Sequence, residues 1–268
     1  MPAILLPYFA LWRLPAFTTI RGAKDAGFDG VEIHLAGQSQ RRALACRAHA
    51  RRLGLKVHLH QGWSIEESSS VHVWNRLMHP VGLLPRPGYR LAEHIPFGVN
   101  DPVVIYAERW RDALAHPNWW LQTCRQANAR LRFEEFVAIV ERERLPVVFD
   151  LQHYLEFRLD LRGVGGLARP GILRNFLPDV LMGYLTEGWH QLGPLVREIH
   201  LDDCDPRLGH TRGRNVPLGT GVLPVRDFCR MVKESGWDGT VVPEVQPFLL
   251  HRHRRYADLR RQVADLFV

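Results

Sequence analysis

No run of about eighteen apolar residues occurs in the 268-residue chain, which excludes a membrane-spanning helix of ordinary length. The four cysteines, Cys46, Cys124, Cys204 and Cys229, are scattered without a CxxC pair or zinc-finger spacing. That usage argues against a disulfide scaffold and leads to the expectation of a reduced, cytoplasmic protein. Lysine is scarce: Lys24, Lys56 and Lys233 are the only three among 35 basic residues, so the basic character is arginine. A formal charge of +7 invites a polyanion partner, yet an arginine-rich solvated surface explains it more simply. The apolar N-terminus lacks a basic leader and a small-residue cleavage site, so no signal peptide is expected. No linker or shift in composition divides the chain, and one domain over residues 1–268 is expected. With 46% hydrophobic and 24% charged residues the chain is of the folded globular kind.

Short β-rich apolar runs alternate with longer amphipathic ones, the pattern of parallel βα units. Strands are expected at 3–6, 31–34, 55–60, 91–95, 103–107, 146–149, 197–201 and 240–243. Helices are expected at 18–26 (stopped by Gly27), 39–53 (closed by Gly54), 131–144, within 177–195, at 225–235 and from 251 to 267. The stretch 61–100 is irregular, with SIEESSS followed by a Pro/Gly-rich piece. Eight strands separated mainly by helices predict a (β/α)8 TIM barrel. In that architecture the chemistry sits at the C-terminal ends of the strands.

Those ends are polar here. Glu108, Asp150, His200 and Glu244 terminate the runs expected as the fifth to eighth strands. A single strand-end glutamate is usually a rim charge. Four such groups at successive ends are different, because converging carboxylates repel one another and a divalent cation is the simple remedy. A mixed oxygen and imidazole set suits Mn²⁺, Mg²⁺, Co²⁺ or Zn²⁺ without deciding between them.

Three stretches resemble the xylose-isomerase-like TIM-barrel superfamily of sugar isomerases, ketose 3-epimerases, inosose dehydratases and endonuclease IV. They are GFDGVEIHL (27–35), FDLQH (149–153) and the long segment 199–245, with its IHLDD strand end and PLGTG turn. The resemblance implies that Glu108, Asp150, His200 and Glu244 are the metal ligands. It also implies that Glu108 and Glu244 act as an acid/base pair on opposite faces of the substrate. One divalent ion would polarise the adjacent oxygens of a ketose and stabilise the enediolate left when a carboxylate removes the intervening C–H proton. His153 would contact substrate, or hold a further metal in the endonuclease branch. His60, Asp202, Arg214 and the apolar walls Trp12 and Trp63 are further substrate-binding candidates.

The expected function is a metal-dependent isomerase or epimerase of a sugar or polyol, with a related dehydratase using the same groups. One alternative is an apurinic-site DNA nuclease. Against it, Gly213 and Asn215 stand in the turn where that branch would place Asp and His ligands. The other alternative is a binding protein on the same barrel. The partners expected are a small sugar or polyol and, as among relatives, a second copy in a homodimer. Nucleic acid is the less favoured partner, and no membrane is expected.

Overall fold

The computed structural model describes residues 1–9, 15–35, 39–61, 100–124, 130–160, 176–205, 207, 215–245 and 254–268. Eight parallel strands close into a barrel in sequence order, with the first paired to both the second and the eighth. They are β1 (Ala3–Phe9), β2 (Gly30–His34), β3 (Lys56–His60), β4 (Val103–Tyr106), β5 (Trp119–Gln122), β6 (Val147–Asp150), β7 (Val196–Leu201) and β8 (Thr240–Pro243). Among the described residues the helices are α1 (Ala16–Asp25), α2 (Gln40–Arg52), α3 (Trp110–Ala115), α4 (Phe133–Glu143), α5 (Leu151–Arg158), α6 (Pro178–Leu192), α7 (Val225–Glu234) and α8 (Arg254–Leu266). Among the described residues no helix is long and apolar enough to cross a membrane.

The barrel corrects the expected strand count at one place. The run at 103–107, read as the fifth strand, is the fourth, because Leu59 and His60 of β3 pair directly with Val103 and Val104. The fifth is Trp119–Gln122, which pairs with β4 on one side and β6 on the other. Its four residues WWLQ follow a helix of only six, so no long amphipathic run announces it. The strand expected at 91–95 lies outside the described residues.

Local chemistry explains the boundaries. In α4, Phe133, Phe136, Val137 and Val140 are buried at the i, i+3, i+4, i+7 spacing that turns one stripe to the core. In α7, Val225, Phe228, Cys229 and Val232 repeat it. Ser39 caps α2 by accepting from Arg42 N at 3.2 Å, and Gly54 follows that helix at φ 72°. Phe149 of β6 stacks on Phe228 of α7 with centroids 5.4 Å apart, tying the barrel wall to its helical coat.

The PLGTG turn is anchored by one buried carboxylate. Asp203, just beyond β7, accepts from Cys204 N (2.8 Å), Leu223 N (3.1 Å), Gly219 N (3.0 Å) and Gly221 N (2.8 Å). A Cβ at Gly221 would lie 2.2 Å from Asp203 Oδ1, so glycine is required for the turn to approach this closely. Asp203→Ala leaves those donors without their acceptor. It is expected to lower stability by about 2–4 kcal/mol, read as a lower midpoint at unchanged m-value in urea unfolding.

Candidate metal centre and active site

Strand pleating decides which side chains enter the barrel. Alternate residues share a face, and here the inward positions of three strands are polar: Glu32 and His34 on β2, His58 and His60 on β3, Glu198 and His200 on β7. Opposite them are Gln122 of β5 and Asp150 of β6, with Glu244 just past β8. Glu32, Asp150, Glu198 and His200 are fully buried, and Glu244 is 8% exposed. One ligand atom each from Glu32, His60, His200 and Glu244 lies within 4.8 Å of the others.

His200 is the hub. Its Nε2 is 3.1 Å from Glu32 Oε2 and 3.1 Å from Glu198 Oε1. Its Nδ1 is 3.3 Å from Glu244 Oε1, 3.6 Å from Asp150 Oδ2 and 3.2 Å from Gln122 Nε2. Beneath it, Glu198 Oε2 pairs with His58 Nδ1. His34 and His60 stack at 4.2 Å, and His34 Nε2 stands 3.0 Å from Glu32 Oε1.

The site's donors fit a cation. His60 Nδ1 is 2.7 Å from the Gln61 carbonyl. A carbonyl only accepts, so the proton sits on Nδ1 and Nε2 presents its lone pair. That Nε2 is buried with no hydrogen-bond partner among the described residues, and the partner beside Glu32 Oε1 is His34 Nε2 at 3.0 Å. Two carboxylates and two imidazoles converging around a buried, unpaired ring nitrogen are a donor set for a divalent ion.

Charge states follow from burial and neighbours. Burial and the adjacent His34 push His60 down to about 3, against the pull of Glu32, so its imidazole is neutral. Burial would lower His200, but Glu32 and the hydrogen bonds His200 donates to Asp150 and Glu198 hold it well above the usual histidine range. Burial would raise Glu32, yet His200 and His60 keep it well below the ordinary value. Asp150 is likewise opposed by burial and brought down to about 2 by His153 and His200. Glu244 is raised, by burial first and then, against His200, by Asp150.

The expected residues divide. His200 and Glu244 enter the four-residue group, and His60, expected to bind substrate, joins them. Asp150 caps α5 by accepting from His153 N at 2.8 Å and takes the Gln122 amide at 2.8 Å, beside the group. Glu108 stands outside it, half-buried in the 3-10 turn Ala107–Arg109 that follows β4. His153 is held by Glu156 at 3.0 Å and by a hydrogen bond with Cys124. Asp202 is 2% exposed and accepts from Gln152 N. Trp12, Trp63 and Arg214 lie outside the described residues. Asn215, next to Arg214, directs its amide to Glu244 Oε2 at 3.2 Å. Sequence reasoning missed Glu32, His34, Glu198 and Gln122. The signal was the alternation in VEIH, VHLH and REIH, where every second residue of a buried strand is polar.

The site's protons give a pH signature. A group raised in the folded chain keeps its proton after the unfolded chain has lost it, so its contribution is full below the unfolded value and is lost as pH rises. His200, His153, Glu244 and Asp202 are raised. His60 acts in the opposite sense only up to 6.5, the value above which the unfolded chain releases the protons that His200 and His153 keep. In chelator, the unfolding temperature is therefore expected to fall from about pH 6.5 to about pH 8. Saturating Mn²⁺ is expected to raise it most at the upper end. A chelator profile that rises across that window would contradict this charge assignment.

Residues 88–262 match the family model described as xylose isomerase-like TIM barrel. A search of curated proteins found no match. Among solved structures, 3-keto-D-glucoside 4-epimerase from E. coli is 15% identical, with 99% of this chain and 100% of that one covered, at a TM-score of 0.56. A xylose isomerase domain-containing protein from Salmonella typhimurium is 13% identical, with 99% and 97% covered, at 0.58. D-psicose 3-epimerase is 12% identical, with 100% and 99% covered, at 0.54. At such identities the structural likeness speaks for the barrel fold.

Proposed function

The chain belongs to the xylose isomerase-like TIM barrel family, and from that premise we propose that it is a divalent-metal-dependent isomerase or epimerase of a sugar or polyol. The observation that carries this reading is the convergence of Glu32, His60, His200 and Glu244, with His60 Nε2 bare and buried. These four residues would hold the ion, and Asp150, 3.6 Å from His200, flanks them. When bound, a divalent ion supplies Lewis acidity toward adjacent substrate oxygens. The sugar substrates named for two of the structural neighbours are the class carried over to this chain.

The protein's own groups handle the proton. Glu244 follows β8 and Glu108 follows β4, four strands apart in a ring of eight and so on opposite sides of the mouth. One carboxylate removes a proton from the carbon beside the substrate carbonyl, and the other returns one from the far side, which inverts that centre. Burial, with Asp150, raises Glu244 above the ordinary carboxylate range and so favours its taking up a proton.

The test separates binding from chemistry. Elemental analysis is expected to find about one divalent ion per chain, as a single four-donor site implies. Glu32→Gln is expected to weaken metal affinity by about 100-fold or more. Glu108→Gln is expected to keep the ion while the rate of solvent-deuterium incorporation into a ketose falls by about 10²–10⁴. Two or three zinc ions per chain would favour the nuclease reading. Retention of the ion with no exchange on any ketose would favour a binding protein.

A further inference from the structure

Tyr106 ends β4 at the level where the barrel interior opens into its mouth. Strand register sets Val104 beside His60 on β3 and Trp120 on β5, and it sets Tyr106 beside Gln122. Gln122 points inward, since its amide meets both Asp150 and His200. Tyr106 therefore shares the inner face with Gln122 and points into the same space. Its side chain is buried, at 3% exposure, and its hydroxyl has no hydrogen-bond partner among the described residues.

A buried hydroxyl left unpaired is rare in folded proteins because it loses its hydrogen bonds to water without replacement. At the mouth of a barrel, such a group is a donor held ready for something that enters from outside. Its surroundings define the partner. Burial first, then Cys124 and the carboxylates of Glu108, Glu244 and Asp150, keep the proton on this phenol. An anionic group arriving there would meet those charges. A neutral hydroxyl can accept from Tyr106 and donate to a carboxylate at once.

We propose that the Tyr106 hydroxyl donates a hydrogen bond to an uncharged oxygen, a hydroxyl or carbonyl, of a polyhydroxylated substrate. The assignment rests on the proposed function and narrows it: the part of the substrate facing β4 is unphosphorylated. Neither the metal group nor the proton-transfer pair includes Tyr106, so its loss leaves both in place.

Tyr106→Phe removes the oxygen and keeps the ring. Three quantities are measured on the metal-loaded full chain: unfolding temperature without sugar, bound metal, and Kd across a panel of unphosphorylated ketoses including D-fructose and D-psicose. The expected result is an unfolding temperature equal to or above wild type, unchanged metal content, and binding weakened roughly tenfold or more for the ketose that wild type binds best. A variant several degrees less stable would mean the hydroxyl serves the fold, and would overturn the proposal. Equal affinity in the two proteins would overturn it while leaving the proposed function standing. A wild-type protein that binds none of the ketoses would mark the failure of the proposed function itself, and this assignment would fall with it.

Discussion

The barrel depends on how four carboxylates are tolerated inside it. Glu32, Asp150, Glu198 and Glu244 all come within 3.6 Å of one imidazole, His200. Buried charges persist only when paired and hydrogen-bonded, and a single imidazolium offers one positive charge to four acids. Much of the surrounding polar structure addresses the remainder. His58 pairs with Glu198 from below, the Gln122 amide and the His153 backbone take Asp150, and Asn215 takes one oxygen of Glu244. One acceptor atom, His60 Nε2, is left without a hydrogen bond among the described residues. A divalent ion among these groups would complete both the charge and the coordination.

The same arrangement gives the site an orientation. The four converging residues come from β2, β3, β7 and β8, a span that ends next to β4, which carries Tyr106 and leads into Glu108. The PLGTG turn, pinned by Asp203, holds the chain that carries Asn215 against Glu244. Fold stability and site geometry are thus joined at the β7 end, where His200, Asp202 and Asp203 follow one another within four residues.

The barrel was legible because its strands are short Val/Ile runs spaced by amphipathic stretches, and because Gly27 and Gly54 mark helix ends. His200 and Glu244 were legible as polar residues terminating apolar runs. Glu32 was not, because it lies within its strand and its flanking residues are as apolar as those of a buried core strand. Only the pleat, which turns Glu32 and His34 to the same side, gives it a role. The assignment of Glu108 to the fifth strand failed for a different reason. The true fifth strand reads WWLQ, and its inward end is Gln122, an amide where the strand-end pattern led to the expectation of a carboxylate. Register between parallel strands comes from backbone pairing, which residue type alone does not reveal.

The most direct test of this account is the position of the ion in a crystal of the Mn²⁺-loaded protein, located by anomalous scattering. The account predicts one peak about 2.0–2.3 Å from His60 Nε2 and from donor atoms of Glu32, His200 and Glu244. A peak that lies away from Glu32 and His60, bound instead by Asp150 and Glu108, would contradict it.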